Sequence, residues 1–129
     1  MVYVIDTHAI IWFFEDSREL GRNALTIFNS KDSRLIIPTI VIAEIFYLSQ
    51  KRRITPSFED IFRIIEQDER CIIYPLDINV IRLLPEGLDI HDGIICGTAL
   101  VYEKLLEEDV KLITKDKKIM DLGIIATIW

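Results

Sequence analysis

The chain has little cysteine. Cys71 and Cys96 are the only two in 129 residues, too few for a disulfide framework or a cysteine-built zinc site. Histidine is as scarce: His8 and His91 alone exclude a histidine-rich metal centre. Positive charge is not in excess. Lys plus Arg number 15 against 21 Asp plus Glu, for a net charge of −6, so the chain as a whole is no electrostatic trap for duplex nucleic acid. A nucleic-acid enzyme stays open, because a site of carboxylates and divalent cations makes the bare protein acidic. Long hydrophobic runs are missing too. Ala9 to Phe14 falls far short of the ~20 apolar residues of a membrane span, and no membrane association is expected. No basic stretch opens MVYVIDTHAIIWFF, and Asp6 interrupts it. The expectation is a cytoplasmic protein without a signal peptide. Repeats, linkers and low-complexity tracts are absent, so residues 1–129 read as one domain.

What is present is a core-forming composition, 50% hydrophobic and 28% charged, which excludes disorder. Five short β-rich runs punctuate the chain: Val2 to Ile5, Leu35 to Ile37, Cys71 to Tyr74, Val110 to Thr114 and Ile124 to Ile128. Pro38 closes the second and Pro75 the third. None alternates with polar residues, as expected of strands buried on both faces.

Helical patterns lie between the runs. Ser17 is a candidate cap for a helix burying Leu20, Ala24, Ile27 and Phe28, and Thr39 for one burying Ile42, Ile45 and Phe46. Thr55-Pro56 reads as a start signal, followed by Phe58, Ile61, Phe62 and Ile65 at helical spacing. Asp77 is placed to cap a short helix. Asp89 is placed to cap a long one with Ile95, Ala99, Tyr102 and Leu106 inward, and Asp116 a last turn closing at Gly123. The alternation βααβααβααβαβ predicts a three-layer α/β/α sandwich around a mostly parallel five-stranded sheet, Rossmann-like in outline, with strand order 3-2-1-4-5.

Four carboxylates stand out against this frame. In a parallel sheet ligands bind beyond the carboxyl ends of the strands. Asp6 directly follows the first strand, and Asp116 follows the fourth by way of Lys115. Each is equally explained as a helix cap. Glu44 is the one charge in the stretch Ile40 to Leu48. It belongs either to a solvated stripe with Tyr47 and Lys51 or to the crevice. Asp92 stands three residues after Asp89, as in a capping box, or faces the same crevice. Carboxylates gathered in one cleft repel one another. Hard divalent cations such as Mg²⁺ or Mn²⁺ relieve that repulsion, and the matching chemistry is metal-assisted hydrolysis or phosphoryl transfer.

The quoted segments resemble the PIN domain family, in particular its VapC-type toxin ribonucleases. VIDTHAIIW carries the opening Asp-Thr, TIVIAEI the Thr and helical Glu, HDGIICGTAL the later Asp before an Ile- and Ala-rich helix, and LITKD the closing Thr-x-Asp. The resemblance spans essentially the whole chain. It implies a metal-dependent endoribonuclease with Asp6, Glu44, Asp92 and Asp116 as catalytic and metal-holding residues. Thr7 and Thr114 would orient them. One or two Mg²⁺ or Mn²⁺ ions would activate a water and stabilise the leaving 3′ oxygen, yielding 5′-phosphate and 3′-hydroxyl ends. It also implies an RNA substrate, a homodimer and a cognate antitoxin, with the helices Thr39–Gln50 and Pro56–Gln67 as candidate dimer contacts.

Two departures are visible. An accessory acid of some relatives is missing at Lys117, Lys118 and Ile119, and an Arg common after the third acid is Gly93 here. Alternatives are a non-toxin PIN nuclease of RNA processing, a phosphatase or nuclease for another nucleotide substrate, and a non-catalytic PIN-like binding module. Lys111, Lys115, Lys117 and Lys118 around Asp116 read either as a solvated face or as phosphate-attracting charge. Lys51, Arg52 and Arg53 read as a charged helix end. Gly93 and Gly97 indicate close approach to a neighbour or substrate. His8 is expected to be packed, and the aromatics, Trp12 included, to serve core or interface rather than base stacking.

Overall fold

The computed structural model describes residues 1–129. Strand β1 (Val2–Ile5) lies at the centre of a five-stranded parallel sheet, flanked by β2 (Arg34–Pro38) and β4 (Val110–Ile113). The edges are β3 (Cys71–Tyr74) and β5 (Thr127–Ile128), giving the order β3-β2-β1-β4-β5. Register follows Val4 opposite both Ile36 and Leu112. The central strands are apolar on both faces because helices cover both. The expected architecture and strand order are those observed.

Ile5, Leu35 and Ile37 share an apolar crevice with Ile10 and Phe13 of helix α1 (Thr7–Phe14), Phe28 of α2 (Arg22–Asn29) and Ile65 of α4 (Phe58–Gln67). Helix α3 (Thr39–Gln50) packs on β2, α1 and α4. Helix α6 (Ile90–Leu100) runs against β1, β2 and β4 as the third layer, with every residue from Gly93 to Leu100 buried. The short α5 (Ile78–Arg82) packs on α6. A Cβ on Gly97 would stand 2.9 Å from the Val80 carbonyl oxygen, so this glycine serves helix approach and not substrate.

Asp77, Asp89 and Asp116 cap α5, α6 and α7 (Lys117–Leu122) as expected, and Gly123 closes α7 in the left-handed conformation. Three other starts differ. Helix α2 begins after Gly21, and Ser17 instead accepts from the Glu19 amide. Helix α4 is capped by Ser57 rather than started by Thr55-Pro56. Thr39 is the first residue of α3, and its hydroxyl accepts from the Leu76 amide 3.1 Å away. Two residues expected inward, Phe46 and Leu106, are exposed. A π-helical turn, Val101–Leu105, follows α6 and rotates Leu106 out of its stripe. Exposed apolar side chains also occur before and on α5 and at the start of α6: Leu76, Ile78, Ile81 and Ile90.

Candidate functional site

Asp6 leaves β1 in extended conformation, its amide still donating to Ile113 of the neighbouring strand at 3.1 Å. One carboxylate oxygen, Oδ1, accepts from the Thr7 amide at 2.7 Å and caps α1. The other, Oδ2, accepts from the Thr114 hydroxyl at 2.6 Å. Thr114 is fully buried just past β4. Its hydroxyl oxygen accepts in turn from the Asp116 amide at 3.1 Å. Asp116 then caps α7 through the Ile119 amide at 3.0 Å. Buried Thr7 donates to Glu44 Oε1 at 2.8 Å, tying α3 to the start of α1. Glu44 is thereby turned toward the end of β1, in a cleft that Tyr47 also lines.

Asp92 stands in the first turn of α6, where its amide donates to Asp89 at 2.9 Å. Half of the expected capping box is present. The reciprocal bond from the Asp92 side chain is not made, and its carboxylate is left for other work.

The charges act on one another. Burial raises the Asp6 carboxyl above its ordinary value, the Thr114 hydroxyl and Thr7 amide pull it back, and Asp116 pushes it further up. Asp92 is pushed up to about 6, first by burial, then by the negative charges of Asp89, Asp116, Asp6 and Glu44. All four sequence-predicted carboxylates thus lie toward one end of the sheet, near enough for Asp6, Glu44 and Asp116 to act on Asp92. Burial, then Asp92, Asp6 and Asp116, raise the Cys96 thiol to about 12, so it stays protonated and unreactive.

The donor set is all hard oxygen, which suits Mg²⁺ or Mn²⁺. The expectation that the four converge to metal-ligand distance is not met by the side chains as placed. No three Asp, Glu, His or Cys groups stand close enough together to hold one ion. Repulsion disfavours closer approach: Asp6, Glu44 and Asp116 each turn to a nearby hydroxyl or amide instead, and the Asp92 carboxylate makes no such bond.

Two clefts flank the carboxylates. One, of about 260 Å³, is lined by Asp6, His8, Trp12, Lys115, Asp116 and Trp129. The other, of about 560 Å³, is lined by His8, Glu44, Tyr47, Leu48, Arg53 and His91. His8 stands exposed between them and is not packed as expected. Trp12 and Trp129 likewise turn to a cleft, 5.8 Å apart and edge to face. Both also pack, partly buried, against the core, as expected of aromatics that serve core or interface. Arg53 lies in the Glu44 cleft and Lys115 in the Asp116 cleft, whereas Lys117 and Lys118 stay exposed on α7.

Comparison with solved structures shows the same fold throughout. The chain is similar to VapBC2 from Rickettsia felis, solved bound to a DNA fragment from its promoter, with 16% identity and a TM-score of 0.69 over 99% of this chain and 98% of that one. It is similar to VapBC-1 from nontypeable Haemophilus influenzae at 18% identity and TM-score 0.68, over 99% of this chain and 97% of that one. A toxin-antitoxin complex from Klebsiella pneumoniae gives 19% and 0.67, over 98% and 96%. No curated protein sequence matches the chain. The PIN domain family model matches residues 3–124, and with nearly the whole chain covered, this protein belongs to the PIN domain family.

Proposed function

We propose that this chain is a divalent-metal-dependent endoribonuclease, with Asp6, Glu44, Asp92 and Asp116 as its catalytic and metal-holding residues. The observation that carries the reading is the set of hydrogen bonds that gathers carboxylates from separate elements: Thr114 joins Asp6 to the Asp116 amide, and Thr7, next to Asp6, holds Glu44. Helix caps act on their own backbones and have no reason to meet; these carboxylates belong to separate elements, and Asp92 is raised in part by the charges of the other three. Mg²⁺ or Mn²⁺ held there would supply charge for the phosphodiester and lower the pKa of an attacking water. The chain's own part is orientation. Thr114 holds Asp6 and the Asp116 amide together, and Thr7 holds Glu44 toward them. These bonds fix where the carboxylates sit before any ligand arrives.

The further reading, that this is the toxin of a toxin–antitoxin pair, is supported by family membership and by the VapBC likenesses. It carries with it a homodimer and an antitoxin partner. Phe46 and Tyr47 of α3 and Ile64 of α4 are exposed apolar groups on the helices expected to form the dimer.

The test is cleavage of single-stranded RNA by the purified chain. The expected result is Mg²⁺- or Mn²⁺-dependent cutting that leaves 5′-phosphate ends, and growth arrest when the chain is expressed without a partner. Calorimetric titration with Mn²⁺ that shows no binding, with or without a nucleotide present, would leave only a binding-module role. Sedimentation as a monomer at micromolar concentration would sink the dimer.

A further inference from the structure

The cleft beside Asp6 and Asp116 holds more than carboxylates. Three rings follow one another along it. His8 and Trp12 have centroids 5.2 Å apart, and Trp12 and Trp129 5.8 Å apart. The two indoles stand at 75°, so they form a corner with two faces rather than a closed stack. The Lys115 ammonium lies 4.5 Å from the Trp12 centroid and 5.9 Å from that of Trp129. Its one ion pair, to Glu19 at 2.8 Å, is at the surface, and such pairs are weak enough to exchange for a better anion.

The corner is also held in place. The Asn23 side-chain amide donates to the Trp129 carbonyl at 2.9 Å. Ile128 pairs with Ile113 in the sheet. Gly21 lies so close that a Cβ there would stand 2.4 Å from the Trp129 carbonyl carbon. An aromatic corner held in place, an exposed cation and two metal-type carboxylates in one cleft of about 260 Å³ have a specific chemical complement. The volume is enough for one planar base. Flat aromatic faces stack bases of any identity. The cation suits the adjoining phosphate.

We infer that the Trp12–Trp129 corner is a base-stacking subsite, which takes one unpaired nucleobase of an RNA strand and sets the neighbouring phosphate between Lys115 and the carboxylates Asp6 and Asp116. The inference rests on the nuclease reading for the role of those carboxylates, but the stacking itself does not need catalysis. Bases inside an A-form duplex are already stacked on one another and offer no free face. The subsite therefore selects single-stranded RNA at the cut and tolerates any base there.

The sequence contains only two tryptophans, and both are in this corner, so intrinsic tryptophan emission reports on it alone. The experiment titrates short A-, C-, G- and U-homopolymers into the whole protein with Ca²⁺ in place of Mg²⁺, reading binding without turnover. All single strands should quench the emission, and a blunt RNA duplex should not. Trp12→Leu and Trp129→Leu should each weaken binding by about five- to a hundredfold, with Trp12→Phe restoring most of the loss because it restores a flat face. Lys115→Gln should weaken binding with the fold unchanged, which keeps the test valid if a tryptophan variant fails to fold. Emission unmoved by every single strand overturns the inference, as does equal quenching by duplex. So does a change seen only with an arginine-rich peptide, which would make the corner a protein site. If RNA quenches the emission yet no RNA is ever cut, the subsite stands and the nuclease reading falls. If RNA is cut with no quenching, the reverse holds.

Discussion

The hydroxyl of Thr114 donates to Asp6 at 2.6 Å, although 108 positions separate the two in sequence. The same oxygen accepts the Asp116 amide. One buried side chain thus couples the ends of β1 and β4 and sets two carboxylates side by side. Thr114→Val keeps the shape and removes both bonds. It should destabilise the fold by about 1–3 kcal/mol, the cost of stranding a buried partner. It should also weaken Mn²⁺ binding by about ten- to a hundredfold, as loss of a ligand-orienting partner does. Thr114→Ser should recover most of both. Denaturant unfolding and Mn²⁺ calorimetry check the pair, and a Val variant that matches the parent in both would refute this role for the hydroxyl.

Asp6→Asn and Asp116→Asn change charge with little change of shape. An asparagine at either place still accepts the capping amide, so the fold should persist in circular dichroism and thermal melts. Cleavage should fall by more than the about hundredfold expected for an orienting residue, because these groups are proposed to hold the ion directly. If both variants cut RNA at the parental rate, with contaminating nuclease excluded, the assignment of the site is wrong.

Much of this molecule was legible in its sequence, and the misses have local causes. The strands were readable because prolines close two of them, and the caps because Asp77, Asp89 and Asp116 each bond an amide within three residues. Interactions this short are written in spacing. Thr39 was misread because its hydroxyl serves Leu76, 37 positions away. The start of α2 is set by Gly21 against Trp129, which the helix pattern does not contain. Phe46 has the right spacing for a core position, but it packs edge-on to Phe58 while staying 45% exposed. The four carboxylates stood out as candidates because charges between apolar segments are conspicuous. The cleft beside Trp12 was not legible, because Trp129, which lines its other side, lies 117 positions away.

Asp92 makes stability depend on pH. Its folded value, about 6, lies above the ordinary 3.8. Between those values the native protein binds more protons than the unfolded chain, so stability falls as pH rises through the window. Above about 6 the loss is complete and constant. Asp92→Asn removes this dependence. The melting temperature of the variant minus that of the parent, both metal-free, should therefore grow from about pH 4 to about pH 6 and then level off. Mn²⁺ should raise the parent's melting temperature more above that window than below it, because a protonated Asp92 is no ligand. A difference flat across the range would show that Asp92 does not feel its neighbours.

Gly21 tests how firmly the tryptophan corner is built. Its backbone, φ −64° and ψ 155°, is one that any residue adopts, so conformational freedom does not explain the glycine. Close approach does: a Cβ would lie 2.4 Å from the Trp129 carbonyl carbon and 2.5 Å from its ring. Backbone on one side and a pinned ring on the other leave little room to yield. Gly21→Ala should cost about 1–3 kcal/mol, as overpacking does. It should shift tryptophan emission to the red as Trp129 is driven toward water. Because Trp129 is held by Asn23 and β5 as well, the chain should still fold, and the carboxylates should still bind Mn²⁺ as the parent does. The variant therefore separates the corner from the metal site: affinity for single-stranded RNA falls while Mn²⁺ affinity stays. An alanine variant with parental melting, emission and RNA affinity would mean that Trp129 moves aside at no cost and that the corner is not preorganised.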